Sequence, residues 1–369
     1  MTAAQNTWSS KSDLVLPNFT EITERGLYVP ELEHDACGVG VVANITGARS
    51  RSIIDQALEV LVNLGHRGAA GADPLTGDGA GITIQMPDTL MQKVAIQEGI
   101  NLPSAGRYAV AMCFLPNDDN LNATVRAALE KSSNDNGMIV LGWREVPVDP
   151  KVIGLTARSI MPKIAQLFVS APDDVQGDDF ERVLYLARKS AEKHLLHIEN
   201  DPETRKTLLQ EFYVCSWSSR TLIYKGMLLV DQLSQFYSDL KDQSMMSAFG
   251  IVHSRFSTNT LGSWKLAHPY RMLAHNGEIN TVRGNRNWMQ ARERSIESPL
   301  FGDKIDQLTP ICESDDPSDT ASLDNVFELL RMTGRSVEQT AAMLMPAAWY
   351  GHESMSQKVK DFYEFHGNI

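Results

Sequence analysis

The sequence of 369 residues lacks the short motifs by which several common enzyme classes are recognised. It contains no CxxC pair, which argues against a zinc ribbon or an iron–sulfur site in this chain. No HExxH and no GxSxG occurs either, so the usual signatures of zinc proteases and α/β-hydrolases are missing. We therefore predict that this chain holds no metal and no cofactor of its own.

Positive charge and long apolar runs are also scarce. Lys and Arg total 34 against 46 Asp and Glu, a formal net charge of −12, which argues against nucleic acid or an anionic membrane surface as the main partner. No apolar run approaches the roughly 18 residues that a membrane helix needs. Residues 1–36 are acidic and lack the apolar core of a signal peptide. These features predict a cytoplasmic protein.

The pattern from Val39 onwards alternates between strand-like and helix-like segments. "VGVVANI" is followed by "RSIIDQALEVLVNLG", in which Ile54, Leu58 and Leu61 recur at helical spacing. Several strand-like runs follow one another closely, such as "FYVCSWS" and "RTLIYKG", and the last third is helical. This order predicts an α+β domain of packed sheets with helices outside. Because the chain stops at Ile369 directly after a helical segment, we expect the domain to continue in a longer protein.

Two segments that read as strands end in polar residues that suit the binding of an amino acid. "SAFGIVHSRFST" places Arg255 at the end of an apolar run, although a surface arginine would read the same way. "YRMLAHNGEI" places Asn276 and Gly277 at its end. An amide side chain beside a glycine N–H is the pairing that an oxyanion hole requires, and an ordinary Asn-Gly turn is the alternative.

The cysteines and acids of the sequence complete this set. Cys37 opens a strand in "EHDACGVGVVANITG", where it is either a small buried hydrophobe or a nucleophile. Cys113 and Cys215 lie in apolar strand-like runs and are predicted to be core thiols. "SDDPSDTASLD" carries more acids than helix capping needs, among them Asp319. A thiol, two oxyanion donors, a cation and an anion would suit the opening of an amide on a free amino acid.

The glycine-rich loop "HRGAAGADPLTGDGAG" is followed by the strand-like run "ITIQM". A phosphate-binding loop opens a helix, so we interpret these glycines as turn residues that frame a site. His34, three residues before Cys37, lacks a second pair of ligands and makes a poor zinc site.

Five segments, in this order, closely resemble the class II glutamine amidotransferase domain of the glutamate synthase large subunit: "EHDACGVGVVA", "HRGAAGADPLTGDGAGI", "HSRFSTNT", "LAHPYRMLAHNGEINTVRGNRNWM" and "SDTASLDNVFELL". The resemblance runs from about Gly26 to Ile369. It implies an N-terminal-nucleophile (Ntn) hydrolase fold, a four-layer αββα sandwich. It also implies a propeptide of residues 1–36 and an amidotransferase domain of residues 37–369, truncated at its C-terminal end.

The resemblance also implies roles for single residues. Cys37 matches the nucleophile, and Asn276 and Gly277 match the oxyanion hole. Arg255 matches the clamp for the glutamine α-carboxylate, and Asp319 the partner of its α-ammonium group. Three further residues are implied to line the pocket: Phe256, Thr258 and His268.

The implied activity is the glutaminase half-reaction of glutamate synthase, in which glutamine yields glutamate and ammonia, and the full enzyme passes the ammonia to 2-oxoglutarate. The implied partners are L-glutamine, the remaining synthase domains of the large subunit and a small NADPH-oxidising subunit. FMN and an iron–sulfur cluster are implied for the full-length enzyme only. The sequence leaves open the electron donor and the oligomeric state. Two other interpretations stay open: the glutaminase domain of another class II amidotransferase, or an unprocessed, non-catalytic fragment that binds glutamine.

Overall fold

The structure is a computed structural model that describes residues 38–198, 201–255, 262–277, 279–312 and 318–367. The chain separates into two units, Met1–Cys37 and Gly38–Ile369, and every described residue belongs to the second unit.

Eight strands of the described residues form two antiparallel four-stranded sheets. The first sheet has the order β1-β8-β2-β7, with β1 at Val39–Ala43, β2 at Ala80–Gln85, β7 at Thr221–Gly226 and β8 at Phe249–Ser254. The second has the order β4-β5-β3-β6, with β3 at Tyr108–Leu115, β4 at Ile139–Glu145, β5 at Lys163–Ser170 and β6 at Tyr213–Ser218.

The α-helices in the described part of the chain are α1 (Arg51–Asn63), α2 (Asp88–Gln97), α3 (Asp119–Asp135), α4 (Leu155–Ser159), α5 (Asp178–Ile198), α6 (Pro202–Glu211), α7 (Leu233–Phe236), α8 (Val282–Glu293), α9 (Asp319–Met332), α10 (Val337–Leu344) and α11 (Gln357–His366). Several begin at a Ser or Asp whose side chain accepts a hydrogen bond from an N–H of the first turn, as Ser318 does for α9. None of the described helices is both long enough and apolar enough to cross a membrane.

Strand β3, an inner strand of the second sheet, separates two hydrophobic cores. Its eight residues are all buried, and alternate side chains point to opposite faces of the sheet. One face, which includes Val110 and Phe114, packs with Ile82 and Tyr224 of the first sheet, so the two sheets share a core. The other face, which includes Cys113, packs against residues of α3 and α5. The predicted α+β class, with packed sheets and outer helices, is confirmed.

One predicted strand is wrong. Residues 270–277 of "YRMLAHNGEI" form no strand. The backbone N–H groups of Met272 and Leu273 donate to the side chain of Asp324 at 2.8 and 3.2 Å, not to a neighbouring strand. The segment is therefore an irregular connection held by side chains of helix α9.

Candidate active site

The candidate site lies at one edge of the first sheet, where three chain segments meet. Ser254, the last residue of β8, pairs with Ala80 at the start of β2, and its N–H donates to the carbonyl of Gly38 at 2.8 Å. Gly38 directly precedes β1. Arg255 follows Ser254 and therefore leaves the sheet at this same edge.

The glycine-rich loop holds the backbone of Arg255. The N–H of Arg255 donates to the carbonyl of Gly79 at 2.8 Å, and its Nη1 donates to the carbonyl of Asp78 at 3.3 Å. Gly79 has φ of +149°, a conformation that favours glycine. A Cβ at Gly79 would also lie 3.0 Å from Cβ of Ala267 and 3.5 Å from Cβ of Arg255. The loop therefore fixes the backbone of Arg255 at the sheet edge.

Asn276 lies against Gly38. A side chain at Gly38 would collide with the Ser254 carbonyl and would reach within 2.8 Å of Nδ2 of Asn276. Position 38 thus has room only for glycine, because the amide group of Asn276 fills the adjoining space. Asn276 and Gly277 are both exposed residues.

Asp319, the first residue of α9, reaches the same segment. Its Oδ2 accepts a hydrogen bond from the N–H of Ile279 at 3.1 Å, and its Oδ1 accepts one from the N–H of Thr320 at 2.6 Å. The Asp319 residue is partly exposed. Asn276 and Gly277, the oxyanion-hole candidates, therefore lie in the same chain segment as Ile279, whose N–H is hydrogen-bonded to Asp319.

A buried ionic cluster anchors the irregular segment to helix α9. Asp324 is fully buried, and its Oδ2 lies 3.4 Å from Nη2 of Arg271. The Nε of Arg271 donates to Glu328 at 3.1 Å. Burial raises the pKa of Asp324, and the nearby Arg271 cation opposes that rise. Residues 271–273 are thus anchored to α9 by both charge and hydrogen bonds.

Two buried histidines lie behind Asn276. The rings of His253 and His268 stack with centroids 4.2 Å apart, and Nε2 of His253 lies 3.0 Å from the carbonyl oxygen of His275. His268 is 5% exposed, and burial, reinforced by nearby cationic groups, lowers its pKa well below the usual value. Both rings are therefore neutral near pH 7.

Lys225 brings a buried cation to the same region. It is fully buried at the end of β7, and its Nζ donates to the carbonyl of Lys265 at 3.0 Å. The ammonium group also lies over the rings of Tyr213 and Tyr270, 4.6 and 4.5 Å from their centroids. Burial lowers the pKa of Lys225 to about 8, so the charge at this position is sensitive to mildly alkaline pH.

Residues 37–369 match the family of class-II glutamine amidotransferases. The chain belongs to this family. The two antiparallel sheets with their helices are consistent with the Ntn-hydrolase sandwich that the sequence resemblance implies.

Named relatives of this amidotransferase domain are glutamate synthases. It is 43% identical over 346 residues to the NADPH glutamate synthase large chain of Bacillus subtilis, covering 94% of this chain and 22% of the relative. It is 41% identical over 339 residues to the chloroplastic ferredoxin-dependent glutamate synthase of Oryza sativa, covering 90% and 20%. It is 40% identical over 348 residues to the NADH glutamate synthase of Schizosaccharomyces pombe, covering 92% and 16%.

The chain thus spans about a fifth of the length of these curated relatives. The predicted similarity to the glutamate synthase large subunit is confirmed. The relatives are named for three different electron donors, so the similarity does not select among NADPH, NADH and ferredoxin.

The cysteines of the amidotransferase domain differ in how deeply they are buried. Cys113 and Cys215 are fully buried, as predicted. Burial raises the pKa of both thiols, to about 12 for Cys215, so neither supplies a thiolate at neutral pH. Cys312 is partly buried and lies 3.5 Å from the carbonyl of Ser322. Cys37 lies outside the described residues, and so do Phe256 and Thr258.

The structure brings together Arg255, Asn276, Gly277, His268 and Asp319 around one sheet edge. The sequence analysis missed two residues that support them. His253 stands in β8 two positions before Arg255, and its spacing does not distinguish it from a core residue, because Arg255 lies beyond the end of the strand. Asp324 lies one helical turn and a half beyond Asp319, and nothing in the local sequence shows that it bonds to residues 52 and 51 positions away.

Proposed function

We propose that this amidotransferase domain hydrolyses L-glutamine to L-glutamate and ammonia, with Cys37 as the nucleophile. The observation that carries the proposal is the position of Gly38, which follows Cys37 in the chain. Gly38 packs against the amide of Asn276 and is hydrogen-bonded to Ser254, next to Arg255. Cys37 is bonded directly to Gly38 in the chain, which supports its assignment as the nucleophile.

The substrate would be recognised as a zwitterion. Arg255 would bind the α-carboxylate of glutamine, and Asp319 would bind its α-ammonium group. Asp319 already accepts two backbone hydrogen bonds, which hold its carboxylate in one orientation. Free glutamine would be preferred over simple amides, because an amide that lacks either charge would leave one site charge without a partner. Phe256, Thr258 and His268 remain candidates for the pocket wall.

The reaction would depend on removal of residues 1–36. A free thiol has a pKa near 8.5 and reacts slowly until it is deprotonated. Once Cys37 is N-terminal, its α-amine, with an ordinary pKa of about 7.7–8.0, can accept the thiol proton directly or through a water molecule. We therefore assign residues 1–36 as a propeptide and residues 37–369 as the amidotransferase domain.

The thiolate would attack the carboxamide carbon of glutamine and form a tetrahedral oxyanion. Nδ2 of Asn276 and the N–H of Gly277 would donate to that oxygen, and loss of one such donor costs about 100- to 1000-fold in rate. The α-ammonium group of Cys37 would return its proton to the leaving nitrogen, so that ammonia departs and a thioester remains. Water would then cleave the thioester, release glutamate and restore the thiol.

In a full-length enzyme the ammonia would pass to 2-oxoglutarate and yield a second glutamate after reduction. The described residues contain no group of three or more His, Cys, Asp or Glu side chains placed to bind a metal. FMN and an iron–sulfur cluster would belong to the remaining synthase domains of the large subunit. A small NADPH-oxidising subunit is one candidate source of the electrons.

Substitution of the nucleophile tests this proposal. We expect Cys37→Ala to abolish ammonia release from glutamine, measured in a coupled assay on the expressed full chain. The matched control is Cys312→Ala, because Cys312 is the partly exposed cysteine of the described residues, and its activity should stay within about twofold of wild type. Ammonia release that survived Cys37→Ala would contradict the assignment.

A further inference from the structure

The start of helix α9 is held against the segment that carries the oxyanion-hole candidates. The hydroxyl of Tyr270, at the beginning of that segment, lies 3.0 Å from Oγ of Ser318, the N-cap residue of α9. The N–H of Ile279, which follows the candidates, donates to Oδ2 of Asp319 at 3.1 Å. The segment is therefore bonded to the start of α9 on both sides of the oxyanion-hole candidates.

Arg286 of helix α8 adds a third attachment. Its Nη2 donates to the carbonyl of Ser318 at 2.8 Å, and its Nε donates to Oγ of Ser322 at 2.8 Å. The Ser318 carbonyl belongs to the peptide bond that joins Ser318 to Asp319. A guanidinium presents its donors in one rigid plane, so this contact fixes the direction of the helix start as well as its distance from α8.

The backbone between these attachments has an unusual conformation. Thr281, which directly precedes α8, has φ of +58° and ψ of +33°, in the left-handed region that a β-branched residue rarely adopts. Such a conformation persists where the surrounding contacts impose it. Ile279 is bonded to Asp319 before this turn, and Arg286 is bonded to Ser318 after it. The turn is thus held at both ends by two consecutive residues at the start of α9.

The charge of Arg286 and its hydrogen bonds would act on substrate binding in opposite directions. Arg286 is bonded to the residue next to Asp319, and a cation there would repel a substrate ammonium group that approaches the carboxylate. Its hydrogen bonds, in contrast, hold the helix start on which that carboxylate stands. Loss of the charge alone would therefore strengthen the binding of an ammonium group, whereas loss of the attachment would weaken it.

We propose that Arg286 is a positioning residue that sets the place of the Asp319 carboxylate relative to the oxyanion-hole candidates. The proposal rests on the proposed glutaminase function. Asp319 is the first residue of α9, so its carboxylate moves with the helix start that Arg286 holds. A single glutamine molecule must reach both the ammonium partner and the oxyanion donors, so the spacing between them decides how well it binds. Arg286 thereby contributes to the preference for an amide that carries an α-ammonium group.

Two substitutions separate positioning from charge. Arg286→Met removes the charge and both hydrogen bonds, whereas Arg286→Lys keeps the charge but lacks the planar pair of donors. We expect KM for glutamine to rise about 5- to 20-fold in Arg286→Met and about two- to fivefold in Arg286→Lys, with kcat changed less than about threefold. The matched control is Arg294→Met, at an exposed arginine directly after α8, which should keep the wild-type KM. A KM at or below the wild-type value in both Arg286 variants would overturn the proposal.

Competitive inhibitors show whether the defect is confined to the ammonium end of the ligand. L-Glutamate carries an α-ammonium group, and glutarate has the same two carboxylates without it. In Arg286→Met the inhibition constant of L-glutamate should rise by about the same factor as KM, while that of glutarate should change less than about twofold. A general loosening of the fold would raise both constants equally, and that result would overturn the proposal.

A double-mutant cycle tests whether Arg286 acts through Asp319. In the Asp319→Asn background, Arg286→Met should raise KM by less than about twofold, because the carboxylate that Arg286 positions is already gone. Additive effects of the two substitutions would overturn the proposal.

Ser322→Ala covers the case in which Arg286→Met does not fold. This small change removes one acceptor of Arg286 and should raise KM about two- to fivefold in the wild-type background, but not in the Asp319→Asn background. An unchanged KM in Ser322→Ala would then overturn the proposal.

Ammonia release by the wild-type chain separates this role from the function on which it rests. Wild-type protein that releases ammonia, with Arg286 variants that behave like it, would overturn the role of Arg286 alone. Wild-type protein that releases no ammonia would contradict the glutaminase function and this role with it.

Discussion

Single residues of the site differ in how they are held. Arg255 receives its position through its own backbone, which bonds to Gly79. Asp319 receives its position through its side chain, which accepts hydrogen bonds from Ile279 and Thr320. Nη1 of Arg255 also donates to the carbonyl of Asp78 at 3.3 Å, so both side chains are hydrogen-bonded to backbone groups.

The role of Asp319 predicts a binding defect. Asp319→Asn keeps an oxygen for the N–H of Ile279 but removes the charge, so we expect KM for glutamine to rise about 10- to 100-fold with a smaller change in kcat. Steady-state ammonia release measures both constants.

The matched control is Asp119→Asn, because Asp119 is also the first residue of an α-helix, α3, and lies at none of the site segments. That variant should keep the wild-type KM. An unchanged KM in Asp319→Asn would show that the α-ammonium group binds elsewhere.

The positions of the candidate residues were partly predictable from the sequence. Arg255 and Asn276 stood out because each follows an apolar run, and the structure places both at one sheet edge. His253 lay unrecognised in the same motif as Arg255, since a buried histidine in a strand reads as core without its partners. Its contacts with His268 and with the carbonyl of His275 arise only in the folded chain.

At the scale of elements, local periodicity predicted most strands and helices but not how they are joined. Helix α9 begins at Asp319, within the last third of the chain that was predicted to be helical, and β2 and β7 match the predicted runs. Strand β5 in "KIAQLFVS" was not recognised. The irregular course of residues 270–277 could not be predicted, because a carboxylate from α9 replaces the strand partner that their apolar pattern suggests.

The anchoring of that segment by Asp324 predicts a stability defect. Asp324→Ala would leave the N–H groups of Met272 and Leu273 and part of the charge of Arg271 without partners, which should lower the free energy of unfolding by about 2–5 kcal/mol. Asp324→Asn keeps an acceptor for both N–H groups and should lose less than half as much. Urea denaturation followed by circular dichroism measures these differences.

Asp361→Ala serves as the control, because Asp361 is an exposed acid of α11 and its loss should change the free energy by no more than about 0.5 kcal/mol. If Asp324→Ala were as stable as this control, the hydrogen bonds from residues 272 and 273 would not anchor the segment.

At the scale of the molecule, the described unit combines a layered fold with a candidate site at the edge of one sheet. The core that the two sheets share could be predicted in general terms, because long apolar strands need cover on both faces. Which residues pack together there could not. The family match begins at residue 37, and the described unit begins at Gly38. The proposed chemistry requires a free α-amine on Cys37, so activity and cleavage before Cys37 must occur in the same molecules.

Peptide mapping of protein labelled with a glutamine-mimicking electrophile tests the central claim most directly. The full chain is expressed, treated with the electrophile and digested, and the labelled peptide is identified by mass spectrometry. We predict a single labelled peptide that begins at Cys37, with a free α-amine and the label on its sulfur. A label on Cys37 in a peptide that still contains Ala36, or on Cys113, Cys215 or Cys312, would contradict the N-terminal-nucleophile mechanism.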